Sequence, residues 1–582
     1  MRILFLTSAF NGLAQRTWIE LDRRNHQVRV QVASSPQAME AAVDEFDPEL
    51  ILAPYLKSKI PGSIWQNRTC LIVHPGIRGD RGSSSLDWAV LNGEKSWGVC
   101  ILQAAEKMDA GDIWAWREFP MRPASKACLY RHEVTQAAMD ALLEAVDRFR
   151  QPGFRPQPLD YDDPSVRGAW NRRALPGDFR FAWTDDTGSI LRKIRAADSD
   201  PGAPVELFGR TFFGFGGHSE SRLRGYPGAI LAQRDQAVCI ASADGAVWLS
   251  HLREDREDAI KLPATMALGD AAAGIPTDAL SPFEPPHWDT FCPIRYEEIG
   301  EAGFLHFDFY NGAMDTHQCR QLQAALQEVK RKPVKVIALM GGADLWSNGI
   351  HLNVIEHAAS PSDESWDNIQ AIDDLIQEII LSPDHYLIAA LQGNAGAGGV
   401  PMALAADKVL ARNGIVLNPH TRTMGLYGSE YWTYLLPRRI GLEKARQFTE
   451  QCLPWGTVVA KEIGLIDDCF GETAEAFAQQ VKQVAAGIAA LPYFPKLLMA
   501  KRFQRRKDEA FKPLESYRND ELDRMRKNFY DDDEGYHYKR FCFVHKIHET
   551  ARGQLVEEKD WFSSRRKIYR RRKWEGVEYK GE

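Results

Sequence analysis

Short apolar runs of strand length alternate with amphipathic helical stretches at the start of the chain, and this alternation constrains the fold more than any other feature. Residues 2–7, PELILA (48–53) and LIVH (71–74) have the pattern of buried strands, and QAMEAAVDEF (37–46) has that of an amphipathic helix. Strands that alternate with helices pair in a parallel sheet covered by those helices. The first part of the chain is therefore predicted to be a parallel α/β domain.

A histidine lies at the carboxyl end of the LIVH strand. His74 precedes a loop rich in Gly, Arg and Ser, GIRGDRGSSS (76–85), and open α/β sheets bind ligands at this end of their strands. A further strand, WGVCILQAA (97–105), leads into a turn that contains Asp109. Because a compact sheet brings this turn near the end of the LIVH strand, we predict that Asp109 approaches His74.

Size and charge exclude several classes of protein. At 582 residues the chain exceeds one hydrophobic core and predicts roughly three or four compact units. A net charge of −7 argues against a broad nucleic-acid surface. The nine cysteines contain no C-x-x-C pair, and no stretch approaches ~18 consecutive apolar residues. We therefore expect a reduced, cytoplasmic chain that acts on small molecules, without nucleic acid or membrane as partners.

The segment from 73 to 114 (VHPGIRG…DAGDIW) resembles the catalytic segment of the 10-formyltetrahydrofolate-dependent formyltransferases. That family has the pattern N-x-H-P, a helix that ends in N-G, a strand and a D-A-G or D-T-G turn. The resemblance implies that His74 and Asp109 manage protons while the formyl carbon of the folate is attacked. In the family the asparagine helps to hold the oxyanion, and here Ile72 occupies that position.

The missing asparagine limits what this site can do. Losing one oxyanion donor typically costs ~2.7–4 kcal/mol of transition-state stabilisation, so the site is slow, is helped by another donor, or uses a better nucleophile. Asn11 and Gln15, which follow the first strand, are predicted to line the folate site together with Ile72. A junction between a loop and a helix also favours Asn11 and Gln15 for ordinary capping.

Residues 182–253 alternate as short strands between Gly and Asp turns, apart from one helix around GSILRKIRA (188–196). They resemble the small β-barrel domain that follows the catalytic domain in methionyl-tRNA formyltransferases. We place the Rossmann-like catalytic domain at 1–165 and the β-barrel domain at 166–265. The Ala, Gly and Pro-rich stretch 266–298 is predicted to be a linker.

Two glycine-containing segments in a second α/β region resemble the crotonase, or enoyl-coenzyme A hydratase/isomerase, superfamily. They are SNGIHL (347–352) and GNAGAGGV (393–400). In that family two backbone N–H groups form an oxyanion hole for an acyl-thioester carbonyl, a role that glycine suits because the backbone must approach the ligand closely. The resemblance implies that Ile350 and Gly398 supply these donors, and that the flanking Gly349 and Gly399 bind coenzyme A.

The acid–base residues of the hydratases are absent from the matching positions. Pro401 and Thr421 stand where hydratases have two glutamates, and neither transfers protons as a carboxylate does. Glu430 and Tyr434 are four residues apart, which predicts that they share a helix face and act on one acyl group as catalytic residues. Weaker candidates in the same region are His420, Tyr427 and His351.

The crotonase-like α/β domain is predicted to span 299–490, followed by a helical C-terminal extension over 491–582. The basic run SSRRKIYRRRKWEG (563–576) is either a solvated face or a contact for the phosphates of coenzyme A. The three-residue spacing of Cys542, His545 and His548 is only a weak metal signal. We predict no bound metal.

A formyltransferase unit, its β-barrel companion and an altered crotonase unit together resemble hydrogenase maturation proteins of the HypX/HoxX type across essentially the whole chain. The resemblance implies that 10-formyltetrahydrofolate supplies a one-carbon unit, that coenzyme A carries it, and that the product is the carbon monoxide ligand of a nickel-iron hydrogenase. Other hydrogenase maturation proteins are then the expected partners. Two alternatives remain: a formyltransferase for an amine acceptor with an unrelated thioester activity, or a non-catalytic one-carbon carrier.

Overall fold

The first domain is built on one six-stranded sheet in the computed structural model, which describes residues 1–284 and 286–547. Its strands are β1 (Arg2–Thr7), β2 (Gln27–Val32), β3 (Leu50–Ala53), β4 (Cys70–His74), β5 (Ser96–Gln103) and β6 (Ile113–Pro120). They lie in the order β2-β1-β3-β4-β5-β6, with β1 to β4 parallel and β5 and β6 antiparallel. The predicted parallel α/β domain is confirmed, and its antiparallel edge carries the turn that contains Asp109.

Helices cover both faces of this sheet. They are α1 (Gly12–Arg23), α2 (Pro36–Phe46), α3 (Gly62–Trp65), α4 (Ser85–Asn92), α5 (Lys126–Leu129) and α6 (Thr135–Phe149), the last two joined by a π-helical turn over Tyr130–Val134. Alternate residues of β4 enter different cores, because successive strand side chains point to opposite faces. Leu71 and Val73 pack on the face toward α4 and α6, whereas Cys70 and Ile72 pack on the face toward α2 and α3.

The second domain consists of one antiparallel sheet and the helices that pack with it. It contains α7 (Thr187–Ala197), β7 (Ala203–Leu207), β8 (Arg210–Glu220), β9 (Ile230–Arg234), β10 (Ala237–Ala241), β11 (Ala246–Glu254), β12 (Leu262–Pro263) and α8 (Ala264–Leu268). The strand order is β7-β8-β11-β10-β9, with β12 paired to β11. The predicted helix in this region is α7. The small β domain predicted after the catalytic domain is confirmed, and among the described residues its edge strands β7 and β9 do not pair with each other.

The predicted linker over 266–298 is too long. Its first part packs on the second domain, where Leu268, Ala272 and Ile275 belong to the same buried cluster as the sheet. Its last part, Ile294–Ile299, is a strand of the third domain. The connecting segment is therefore shorter than its composition indicated, because apolar residues at both ends are buried against a neighbouring core.

The third domain combines two sheets. The main sheet contains β13 (Ile294–Ile299), β14 (Ala302–Phe307), β15 (Val336–Met340), β17 (Tyr386–Leu391), β19 (Lys408–Arg412) and β22 (Asp468–Phe470), and the smaller one contains β16 (Leu345–Ser347), β18 (Asn394–Gly396), β20 (Val416–Asn418) and β21 (Trp455–Gly456). The helices are α9 (Thr316–Val329), α10 (Leu352–His357), α11 (Pro361–Ile380), α12 (Gly399–Leu404), α13 (Trp432–Ile440), α14 (Leu442–Gln451), α15 (Thr457–Glu462) and α16 (Ala474–Ala489). Both predicted glycine segments follow strands of the main sheet and belong to the smaller one.

Helices also follow the third domain, as predicted. They are α17 (Phe494–Phe511), α18 (Leu514–Arg526) and α19 (Tyr536–Val544), with a π-helical turn over Lys527–Asp531. The basic run 563–576 and His548 lie outside the described residues. None of the described helices combines the length and the apolar composition that a membrane span requires.

Candidate active sites

His74 is the last residue of β4 and is held inside the first domain. Its side chain is 4% exposed. The Nε2 atom hydrogen-bonds with Oδ2 of Asp80 at 2.8 Å, and Nδ1 lies 3.6 Å from Oδ2 of Asp109. Asp109 is therefore near His74, as the sequence predicts, but the closer partner is Asp80. The loop sequence contained Asp80, yet nothing in its spacing indicated that the loop returns to the histidine.

The two carboxylates favour a protonated ring. Burial opposes the charge on His74, but the hydrogen bond with Asp80 and the charge of Asp109 together raise the pKa of His74 above its ordinary value. Asp80 is itself buried, and Asn171 Nδ2 donates to its Oδ1 at 3.3 Å. A histidine oriented by a buried carboxylate is the arrangement that proton transfer to and from a reacting group requires.

A glycine makes this pair possible. A Cβ on Gly76 would lie 2.4 Å from Nε2 of His74 and 2.5 Å from Oδ2 of Asp80. No side chain fits there without separating the two groups. The glycine of the H-P-G run is therefore required by the close approach of the loop to the histidine.

The variant Gly76→Ala is expected to lower the pKa of His74 below its wild-type value. The added methyl group separates Nε2 from Asp80, so the hydrogen bond that favours the charged ring is lost while the ring stays buried. Proton NMR of histidine-labelled protein measures the titration, with His74→Gln to assign the signal. Gly177→Ala is the control, because a Cβ at Gly177 has nothing within 4 Å. An unchanged titration in Gly76→Ala would contradict the proposed contact.

The three predicted folate-lining residues have local structural partners. Asn11 caps α1 by accepting a hydrogen bond from the backbone N–H of Ala14 at 3.0 Å. Gln15 Nε2 donates to the carbonyl oxygen of Phe10 at 2.8 Å. Ile72 packs against the apolar core under α2 and α3. These contacts account for the capping alternative, and folate binding by these residues stays a prediction.

The glycine segments of the third domain lie side by side. Strands β16 and β18 pair in parallel, and a Cβ on Gly349 would lie 3.3 Å from the backbone nitrogen of Gly398. Gly349 has φ of +74°, a conformation that favours glycine. The backbone N–H groups of Ile350 and Gly398 donate no hydrogen bond to another described residue. Two free, adjacent donors are what an oxyanion hole needs.

Gly399 has a packing role. A Cβ at this position would lie 2.2 Å from the carbonyl oxygen of Ser347, so the start of α12 can approach β16 only with glycine. The carbonyl oxygen of Gly399 also accepts a hydrogen bond from Nε1 of Trp346 at 2.9 Å. Contact of Gly349 and Gly399 with coenzyme A stays a prediction.

Glu430 lies against the backbone of Gly398. A Cβ on Gly398 would be only 2.0 Å from Oε1 of Glu430, so the carboxylate contacts the backbone of the predicted oxyanion hole. The side chain is 4% exposed. Burial, reinforced by the charge of Asp373, raises the pKa of Glu430 to about 8. A carboxyl group with this pKa exchanges its proton close to neutral pH.

The prediction that Glu430 and Tyr434 share a helix face is wrong. Helix α13 begins at Trp432, and Glu430 and Tyr431 before it adopt left-handed backbone conformations with φ of 64° and 57°. The Tyr434 hydroxyl instead donates to Oδ2 of Asp508 on α17 at 2.9 Å. The interrupted backbone separates the carboxylate from the helical register, so the four-residue spacing does not apply.

The structure also shows where the other residues named for this region lie relative to the glycine segments. Pro401 is buried within α12, and Thr421 begins a 3₁₀ turn over Thr421–Met424. His420 lies near the site, because a Cβ on Gly396 would be 3.2 Å from its Cε1. His351 caps α10 through Nδ1, which accepts from the N–H of Val354 at 3.3 Å. Burial lowers the pKa of both histidines.

A further cluster joins the first and third domains. Sγ of Cys128 and Nε2 of His132 lie 2.7 and 2.9 Å from Oδ1 of Asp344. Cysteine, histidine and carboxylate are ligands that zinc accepts. However, Arg131 donates to Oδ2 of Asp344 at 3.1 Å and Arg122 to Sγ of Cys128 at 2.8 Å. Because these guanidinium groups compete with a cation for the same lone pairs, we interpret the cluster as a hydrogen-bonded contact between domains.

Family models match all three domains of the chain. The formyl transferase model matches residues 11–146, the formyl transferase C-terminal domain matches 175–267, and enoyl-CoA hydratase/isomerase matches 309–537. The methionyl-tRNA formyltransferase of Syntrophus aciditrophicus is 25% identical over 215 residues, 36% of this chain and 68% of that protein.

Two relatives are similar along nearly the whole chain. The hydrogenase maturation factor HoxX of Bradyrhizobium diazoefficiens is 44% identical over 549 residues, 94% of this chain and 95% of the relative. The crystal structure of HypX from Aquifex aeolicus in complex with tetrahydrofolic acid has a TM-score of 0.91 and 44% identity, and covers 94% of this chain and 97% of that one. The order of the three domains is therefore shared with both proteins, and their packing with the HypX structure.

Proposed function

The chain belongs to the family of hydrogenase maturation factors that includes HoxX and HypX, and from this premise we propose that it makes carbon monoxide for the iron of a [NiFe]-hydrogenase. In this proposal the first domain takes the formyl group from 10-formyltetrahydrofolate and passes it to coenzyme A. The third domain then releases carbon monoxide from formyl-coenzyme A. The tetrahydrofolic acid in the Aquifex aeolicus structure supports the choice of donor.

In the first reaction His74 manages the proton. The thiol of coenzyme A attacks the formyl carbon while His74 accepts the thiol proton, and the ring then returns a proton to the folate nitrogen as the C–N bond breaks. Asp80 and Asp109 favour the protonated ring between these steps. A thiolate is intrinsically nucleophilic, so this acceptor tolerates the apolar Ile72 where an oxyanion donor is missing.

In the second reaction Glu430 is the base. The formyl proton moves to the carboxylate, the C–H electron pair stays on carbon, and the C–S pair leaves with the thiolate, so that carbon monoxide and coenzyme A are formed. The N–H groups of Ile350 and Gly398 would hold the thioester oxygen before the bond breaks. The observation that carries the proposal is the placement of Oε1 of Glu430 against Gly398, beside this pair of backbone donors.

Labelled substrate tests the proposal directly. Purified protein is incubated with 10-formyltetrahydrofolate carrying ¹³C in the formyl group, with and without coenzyme A, and the gas is trapped on reduced haem protein. Labelled carbon monoxide that depends on coenzyme A is the expected result. Formylation of an added amine without coenzyme A would favour the amine-acceptor alternative, and binding of both ligands without turnover would favour a carrier.

The protein is expected to bind coenzyme A yet fail to hydrate crotonyl-coenzyme A. Pro401 and Thr421 occupy the positions of the two hydratase glutamates, and loss of acid–base catalysis commonly costs ~10²–10⁴-fold in rate. Loss of the conjugated enoyl absorbance measures hydration, with an authentic hydratase as the positive control. A rate within tenfold of that hydratase would show that the third domain kept the ordinary activity of its fold.

A further inference from the structure

The backbone that carries Glu430 is held in an unfavourable conformation. Glu430 and Tyr431 are consecutive residues with positive φ, and neither is glycine. A side-chain-bearing residue rarely occupies this region, and such strain persists only where the surroundings enforce it. The contacts that hold this turn therefore decide where the carboxylate of Glu430 lies.

One carboxylate holds the turn from the neighbouring helix. Oδ1 of Asp373, on α11, accepts a hydrogen bond from the backbone N–H of Glu430 at 2.8 Å, and its Oδ2 accepts one from Oγ of Ser429 at 2.8 Å. Asp373 is fully buried, and Ile372 and Leu375 beside it belong to the apolar core. A charged group in such a position is costly unless it is hydrogen-bonded. Its two hydrogen bonds both go to the turn of Glu430.

The charged groups around Asp373 and Glu430 belong to three helices. On α18, Arg518 pairs with Asp374 at 2.6 Å, and the buried Glu521 accepts from the N–H of Thr433 at 2.8 Å. Further titratable groups among the described residues nearby are Tyr431 on the turn itself, Asp315 and Cys319 near α9, and Glu515 on α18. Arg518 forms its ion pair with Asp374, and its positive charge also opposes the rise in the pKa of Asp373. Among the described residues, neither Asp373 nor Glu430 forms an ion pair of its own.

We propose that Asp373 is the positioning residue of Glu430: its two hydrogen bonds, from the N–H of Glu430 and from Oγ of Ser429, hold the turn that carries the carboxylate. This inference rests on the proposed function, in which Glu430 is the base. Burial raises the pKa of Asp373 to about 7, so the two carboxylates titrate in adjoining ranges and behave as a coupled pair. Removing the charge of Asp373 then makes Glu430 easier to ionise.

Infrared difference titration of the protonated carboxyl groups tests the charge effect without relying on the reaction. The Glu430 signal is the one lost in Glu430→Gln. In Asp373→Asn its midpoint is expected to fall by about one pH unit, because a like charge nearby is removed. Asp374→Asn removes the same charge one residue further on and is expected to shift the midpoint much less. An unchanged midpoint in Asp373→Asn would overturn the inference.

Carbon monoxide release tests the positioning. In Asp373→Ala both hydrogen bonds are lost, and we expect the rate to fall by at least about 30-fold. Asparagine keeps a carbonyl oxygen for the N–H of Glu430, so Asp373→Asn is expected to recover part of the rate. The acid limb of the pH–rate profile of this variant is expected to move to lower pH. If the alanine variant fails to fold, Ser429→Ala replaces it, and a lower rate with a lower midpoint is expected.

The two proposals fail in different ways. If wild-type protein releases no carbon monoxide from formyl-coenzyme A, the proposed function is overturned, while the infrared midpoint still decides whether Asp373 controls Glu430. If wild-type protein is active and Glu430→Gln is not, but Asp373→Asn keeps the wild-type rate and pH profile, only the role of Asp373 is overturned.

Discussion

Glu430→Gln is expected to stop release of carbon monoxide while formyl transfer to coenzyme A continues. Glutamine keeps the shape of the side chain but cannot accept the formyl proton, and general base catalysis is commonly worth ~10²–10⁴-fold. Formyl-coenzyme A, or formate from its hydrolysis, is then expected to accumulate. Liquid chromatography of the thioester and haem trapping of the gas measure the two products separately.

The pH dependence of the wild-type protein gives a second measurement of the same residue. The pKa of Glu430 is raised to about 8, so at pH 7 most of the carboxyl groups are protonated and cannot act as a base. The rate from supplied formyl-coenzyme A is therefore expected to rise with pH and to level off above about 8. Glu462→Gln, at an exposed glutamate of α15, is the control. Normal gas release by Glu430→Gln would exclude this base and make His420 the next residue to test.

His74→Ala is expected to abolish formyl loss from 10-formyltetrahydrofolate and to leave folate affinity within a few-fold of wild type. One ring nitrogen hydrogen-bonds with the buried Asp80 and the other lies near Asp109, and removing such a proton carrier costs ~10²–10⁴-fold. Absorbance at the folate band follows formyl loss, and calorimetry measures binding.

The same variant separates the two sites. Supplied formyl-coenzyme A bypasses the first domain, so His74→Ala is expected to release carbon monoxide from it at the wild-type rate. His287→Ala, at an exposed histidine between the domains, is the matched control. Unchanged formyl loss in His74→Ala would remove the first site from the proposed reaction.

Local sequence pattern was sufficient to predict the strands and glycine segments that carry the candidate sites. The apolar run before His74 is β4, because a strand buried on both faces reads as a continuous apolar segment, and the histidine lies at its carboxyl end. The two glycine segments were predicted from their resemblance to the crotonase family, in which close backbone approach requires glycine. Sequence spacing also indicated that Asp109 approaches His74, because both lie at the ends of neighbouring strands.

What the tertiary structure decided concerns groups that meet across the fold. Asp80 reaches His74 only because the loop turns back over Gly76, and no periodicity encodes that return. Glu430 lies outside α13 because Asp373, 57 residues away in sequence, holds its backbone in a left-handed turn. Periodicity assumes regular backbone, so it predicted a shared helix face with Tyr434 that does not exist. The sequence by itself thus determined the three domains and the residue types at their sites, whereas hydrogen bonds made by irregular loops and turns determined which carboxylates lie at each site.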